Sequence, residues 1–227
     1  MQNFVNYRLE YSKTGMMRYI GHIDTMKLFH KLFRMSGLPI VFSQGFNPHQ
    51  IFTIAHPLSV GQEGLAELAD FRLNVEVSPD VILSSLNKSA PKGLRMTRVW
   101  AIAAEEKSCA ALVAAADYTV EVTVAGLREV IEQLMAQDEL LAQKRTKSGT
   151  SLQDIRKDIY SLSIDEATSI LGGVITMRLS AGSSANLKPQ LVLQQVFERA
   201  GLLFDEHAHL ITRKSLFRLK NNELANF

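Results

Sequence analysis

Apolar and polar positions along the chain recur with two periods, and the periods switch in an order that is written twice. Residues 6–11 alternate apolar with polar, the two-residue period of a half-buried strand. From Gly21 the spacing changes. Ile23, Met26, Phe29, Leu32 and Phe33 recur at helical intervals, and Ser36-Gly37 followed by Pro39 stops them. Residues 39–43 form a short β-branched and aromatic run, expected as a second strand. Residues 65–75 are extended in character, 79–86 suit a short helix with proline in its first turn, and 94–103 read as a strand.

The second half repeats this order. Val120, Val122 and Val124 share one face of a strand over 118–124, and 126–137 carry Leu127, Val130, Ile131, Leu134 and Met135 along a helix. An extended segment over 140–146 follows, then a strand over 174–179. A helix opens at Lys188-Pro189 and ends at Gly201, and residues 209–212 form a last strand. Each half reads β-α-β-β-α-β, the order of the ferredoxin-like split βαβ fold. The expectation is therefore an α+β protein of two ferredoxin-like halves, 1–104 and 116–227, with antiparallel sheets and helices on one face. Residue similarity between the halves is not visible, so the repeat rests on element order. Two segments exceed the minimal unit, a polar loop at 44–64 and a basic insertion at 147–165. Connections of that length in a compact domain usually carry function or lack structure.

Composition narrows the classes. With 227 residues, 46% hydrophobic and 21% charged, the chain has the balance of a soluble globular protein rather than a disordered or fibrous one. A net charge of +2 permits a nucleic-acid partner without demanding one. The single cysteine, Cys109, excludes an intramolecular disulfide, a Cys-rich zinc site and an iron–sulfur cluster ligated within this chain. Its apolar surroundings suggest a buried thiol rather than a nucleophile. The N-terminus lacks the basic and apolar regions of a signal peptide, and no apolar run approaches the length of a membrane span. A cytoplasmic location, no membrane partner, no metal site and no cofactor in this chain are expected.

Four constellations carry candidate chemistry. Arg18, His22 and Asp24 fall between the first strand and the first helix, where Asp24 either orients the imidazole for acid–base work or simply complements the helix N-terminus. Ser43, Gln44, Asn47 and His49 crowd a turn built on Gly45 and Pro48. They offer donors and acceptors without net charge, a set suited to a base or sugar edge as well as to turn formation. Lys144, Arg145 and Lys147, with Arg156 further on, are candidate phosphate ligands, or else a solvated hairpin tip balanced by Asp154 and Asp158. Arg213 opens a basic C-terminal stretch interleaved with Phe217, suited to nucleic acid or to solubility alone.

The same residues carry a resemblance. The run from Lys13-Thr14-Gly15 through Arg18-Tyr19-Ile20-Gly21-His22-Ile23-Asp24, then Ser36-Gly37-Leu38-Pro39 and Phe42-Ser43-Gln44-Gly45-Phe46-Asn47-Pro48-His49, resembles an uncharacterised radical-SAM-associated family of bacteria. Pro57-Leu58-Ser59-Val60-Gly61, Lys144 to Gly149 with Asp154-Ile155-Arg156, Leu187-Lys188-Pro189 and Thr212 to Phe217 resemble its later signatures. The chain departs from the pattern at Gly21, where serine is common, and at Lys157, where proline commonly follows. Members of that family occur alone or fused behind a radical-SAM enzyme, often beside genes for a ribonuclease and ribosomal proteins. The resemblance implies an accessory protein with a radical-SAM enzyme as partner, binding RNA or ribosomal components in modification or ribosome maturation. Arg18, His22, Asp24, Ser43, Gln44, Asn47 and His49 would form its pocket. Lys144, Arg145, Lys147, Arg156 and Arg213 would hold phosphates. Two other readings stay open: a metal-independent enzyme acting on RNA or a small molecule, with candidates His22, Asp24 and His49, and a pure protein–protein docking module.

Overall fold

A computed structural model describes residues 4–146, 149–166 and 172–227. It is a mixed α+β fold with mostly antiparallel strands and five α-helices among the described residues. The chain divides into two compact units, one comprising 1–113 with 218–227 and the other 114–217. The last ten residues thus group with the first unit, which a split at 104/116 leaves out.

The first unit runs β1 (Val5–Lys13), α1 (His22–Ser36), β2 (Phe52–Ile54), β3 (Glu63–Leu73), α2 (Pro79–Ser89) and β4 (Leu94–Ile102), followed by the one-turn helix α3 (Cys109–Leu112). Its strands lie in the order β4-β1-β3-β2, every pair antiparallel. Alternation on β1 turns Tyr7, Leu9 and Tyr11 to the core, where Phe29 and Phe33 of α1 and Ile82 and Leu86 of α2 meet them. An aromatic stack organises this core: Phe29 lies 4.6 Å from Phe52 and 5.0 Å from Tyr11, and Phe33 lies 5.1 Å from Phe71. Helix α1 ends where Gly37 takes a left-handed conformation, φ 69°. Asn87 of α2 donates to the Met96 carbonyl at 2.9 Å and accepts from the Met96 amide at 3.0 Å, which pins the helix to β4.

The second unit contains all but the first residue of β5 (Val113–Val122), α4 (Leu127–Met135), β6 (Leu141–Thr146), β7 (Gly149–Asp154), β8 (Ile159–Asp165), β9 (Gly173–Ser180), α5 (Pro189–Arg199) and most of β10 (Ile211–Lys220). Here the order is β10-β5-β9-β8, while β6 and β7 pair only with each other. Leu127, Ile131 and Leu134 of α4 and Val192, Leu193, Val196 and Phe197 of α5 supply its buried helical faces. The short strand β11 (Glu223–Ala225) turns back on the end of β10 in the first unit.

Three expectations change. Residues 39–43 make only isolated bridges, Ile40 with Leu73 and Phe42 with Gln50, and the second strand is β2, inside the polar loop. The turn at Gly37 and Pro39 and the closure of Ser43 on His49 leave this run too short to pair further. The segment 140–146 does not join the sheet. That place belongs to β8, whose Ile159, Leu162 and Ile164 are buried, so the expected insertion 147–165 holds both half of a hairpin and a core strand. Finally, the strand expected at 209–212 is the ten-residue β10, which absorbs the basic C-terminal stretch and is followed by β11.

Candidate functional site

β1 ends in two irregularities of register, one on each neighbouring ladder, yet Tyr11 and Lys13 stay buried in phase with Tyr7 and Leu9. The chain then turns sharply. The Thr14 amide donates to the Gly93 carbonyl at 2.7 Å, and Gly93 (φ 91°) is needed there because a Cβ would run into the Thr14 carbonyl. Glu63 ties down the following helical turn, accepting from the Gly15 amide at 2.7 Å and from Arg18 at 3.4 Å. Arg18 also donates to the Tyr19 hydroxyl at 2.8 Å, and its carbonyl accepts from the Gly61 amide at 2.9 Å.

This frame leaves a shallow cleft of about 10 Å³, room for no more than a single water, lined by Tyr11, Lys13, His22, Thr25, Ile54, Pro57 and Leu58. Lys13 is buried, and its Nζ donates to the Ile20 carbonyl at 2.7 Å. The buried Glu67 carboxylate folds over Gly64, the residue paired with Lys13, in space that a Cβ would fill. His22 stands exposed at the mouth. Asp24 does not orient it: its carboxylate bonds Lys27, one turn along the same helix, at 3.3 Å. Tyr11, Lys13 and Thr25 line the cleft and Glu67 lies beside it, though none of them stands out as a candidate in the sequence. The available signal was Lys13 itself, a charge on the apolar phase of β1.

Ser43, Gln44, Asn47 and His49 lie together on a second feature, a loop closed at its base. The Ser43 amide donates to the His49 carbonyl at 2.8 Å, the His49 amide to Ser43 Oγ at 3.1 Å, and Ser43 Oγ bonds His49 Nδ1 at 2.9 Å. His30 on α1 is held below its ordinary imidazole value, first by burial and then by His49 and Arg34. His49 is therefore a neighbour of the middle of α1, whereas His22 begins that helix about 12 Å away along its axis. No contact between His22 and His49 is found among the described residues.

The basic segment divides as well. Lys144 and Arg145 lie on β6 opposite Ser151 and Thr150, and Lys147 falls outside the described residues. Asp154 closes the hairpin base, accepting from the Leu140 and Arg156 amides, both at 2.9 Å, bonds that hold its carboxyl below the usual range. Arg156 corrects its assignment. Its guanidinium donates to the carbonyls of Met135, Gln137 and Ile159 at 3.0, 3.1 and 3.2 Å, capping the C-terminal end of α4 rather than facing solvent. Arg213 is corrected too, because on β10 it is 2% exposed and cannot meet a phosphate backbone. Among the described residues no group of three or more His, Cys, Asp or Glu is placed to hold a metal ion. Cys109 is fully buried, and burial, with Asp70 beside it, pushes its thiol far up from the ordinary value. No described helix is long and apolar enough to cross a membrane.

The described residues thus form two mixed α+β units with mostly antiparallel strands. The chain belongs to a family of uncharacterised proteins conserved in bacteria, whose model matches residues 6–189. That description names neither a radical-SAM enzyme nor RNA, and nothing in the match links the family to either. No curated protein matches the sequence. Among solved structures, a chain from a Cbf5–Nop10–Gar1 complex aligns over 92% of this chain at 10% identity, with a TM-score of 0.49. This chain spans 48% of that one, and at such a score the likeness assigns neither fold nor function.

Proposed function

We propose that this protein is an RNA-binding accessory subunit that grips phosphates with the β6–β7 ribbon. One observation carries the reading: a two-stranded hairpin that pairs only with itself among the described strands bears Lys144 and Arg145, with Lys147 next in sequence. Such ribbons suit nucleic-acid grooves and backbones, because a narrow basic element reaches phosphates that a flat sheet face does not. We read each unit as a ferredoxin-like half, since both strand orders follow the 4-1-3-2 pattern once the hairpin is set aside. The hairpin is then the element added to that frame. The partner implied by the motifs, a radical-SAM enzyme, would supply its own cluster ligands, because the one cysteine here is buried.

The test is binding of a fluorescently labelled RNA oligonucleotide across a salt series from about 50 to 200 mM, where counterion release weakens phosphate binding steeply. Lys144→Ala with Arg145→Ala is expected to lower the slope of log affinity against log salt by about 1.4, roughly 0.7 per phosphate contact on a single strand. Affinity that ignores both salt and these substitutions overturns the reading. A second reading, catalysis at His22, is favoured by its position at the mouth of the cleft above Tyr11 and Lys13. It predicts that His22→Ala abolishes turnover of RNA while leaving binding intact.

A further inference from the structure

The loop closed by Ser43 and His49 holds at its tip a side chain that the fold does not use. Phe46 has a relative exposure of 106%, against 47% for Phe42 at the foot of the loop, whereas Phe29, Phe33, Phe52 and Phe71 of the same unit are all at or below 5%. Leaving a phenylalanine in water forgoes the main stabilisation such a side chain offers. The loop nevertheless presents it in a defined way. Three hydrogen bonds and the Phe42–Gln50 bridge clamp the base, Gly45 takes φ 125°, a conformation other residues rarely adopt, and Pro48 stiffens the return. The ring is therefore offered rather than left loose.

Its surroundings select the ligand. Gln44, Asn47 and His49 are exposed beside it and supply neutral donors and acceptors. From Met35 to Gln62 the chain carries no Asp, Glu, Lys or Arg, so no carboxylate of this segment repels a phosphodiester. A free aromatic face flanked by amides and an imidazole is the combination that stacks an unpaired base and reads its edge. A protein-docking anchor is instead set in an apolar, water-excluding rim. We infer that Phe46 is a stacking platform for one unpaired base of single-stranded RNA, with Gln44, Asn47 and His49 around the base edge. The inference rests on the RNA reading above and deepens it.

The experiment uses the full chain and a single-stranded RNA oligonucleotide carrying 2-aminopurine, with thermal melting to confirm that each variant is folded. Stacking on Phe46 is expected to quench the fluorescent base. Phe46→Ala and Phe46→Leu should each lose about five- to hundred-fold in affinity, the range of one base–aromatic stack, with the salt slope unchanged. Phe46→Trp should restore binding. The salt slope separates this loss from that of the Lys144 and Arg145 variants, which act through phosphate. If the wild-type protein binds RNA and Phe46→Ala binds equally well with equal quenching, the platform is overturned and the RNA reading stands. If the wild-type protein binds no RNA even at low salt, both fall.

Discussion

The two units solve one problem in opposite ways. Each has an arginine and an aspartate facing each other across its central strands. In the first unit Arg8 of β1 is in register with Asp70 of β3, and in the second Asp117 of β5 is in register with Arg178 of β9, so the charges are exchanged between the corresponding strands. Both pairs are two-pronged, with Nε to Oδ1 at 2.8 and 2.7 Å and Nη2 to Oδ2 at 3.2 and 2.8 Å. Both guanidiniums also lie over a ring, Arg8 at 5.3 Å from Phe227 and Arg178 at 4.1 Å from Phe217.

Burial separates them. Arg8 and Asp70 are 1% and 14% exposed, against 35% and 22% for Arg178 and Asp117. The buried pair is accordingly surrounded by further partners. Arg8 donates to Glu106 at 2.8 Å and to the Lys107 carbonyl at 3.1 Å, and the Cys109 amide donates to Asp70 at 2.7 Å. A charge taken out of water is tolerable only when its hydrogen-bonding capacity is filled. The half-exposed pair leaves that work to solvent.

Breaking the pairs should expose this difference. Arg8→Met strands Asp70 among groups arranged for a cation's partner, and should cost about 3–5 kcal/mol, read from the denaturant midpoint. Exchanging the charges sharpens the comparison. The double variant Arg8→Asp with Asp70→Arg should remain destabilised by about 2 kcal/mol or more, because it brings an acid towards Glu106 and an arginine towards the Cys109 amide. Asp117→Arg with Arg178→Asp exchanges a pair that solvent reaches and should stay within about 1 kcal/mol of wild type. A rescued first swap would mean that Glu106 and the Cys109 amide are incidental. Arg178→Met should cost about 1 kcal/mol at most, since solvent screens a pair this exposed.

The smallest effect is one of pH, and it concerns the first unit alone. His30 has a lowered value when folded, so the folded state binds fewer protons than the unfolded chain below the ordinary value of 6.5. Its contribution to stability is full above that value and is lost as pH falls through the lowered one. Melting temperature should therefore decline on acidification from about pH 7 to about pH 5, and His30→Gln should flatten that decline. An unchanged pH profile in the variant would show that the His30 environment is not coupled to folding.

Local signals were legible where one residue decides one outcome. The helix stop at Gly37, the prolines opening α2 and α5, and the apolar stripes of α1 and α4 are all visible in sequence and all present. The candidate residues of the 43–49 turn lie on one loop, because they are close in sequence. That His49 neighbours His30 in the middle of α1 follows from no local signal, because the turn and the helix are distant in sequence. Arg156 and Arg213 read as cations for phosphate because charge is visible in a sequence while the carbonyls or the strand that enclose it are not. Lys13 and Arg8 were passed over for the converse reason: a lone charge on a strand does not announce its burial.

The sequence by itself determined the periods, and with them the four longer helices and the strands β1, β3, β4, β5 and β9, because side-chain alternation and helical spacing are properties of neighbouring residues, whereas β2, β7 and β8 lie in segments read as loop and insertion. Only the tertiary structure decided which segment pairs with β9. Residues 140–146 and 159–165 are both extended, and the choice of β8 depends on burying Ile159, Leu162 and Ile164 against the sheet. It also decided which of two like Arg–Asp pairs is buried, since that depends on the 103–109 segment and Phe227 closing over Arg8, contacts made across 98 and more residues of chain. Burial is a property of what covers a residue, and the covering segments are distant in sequence.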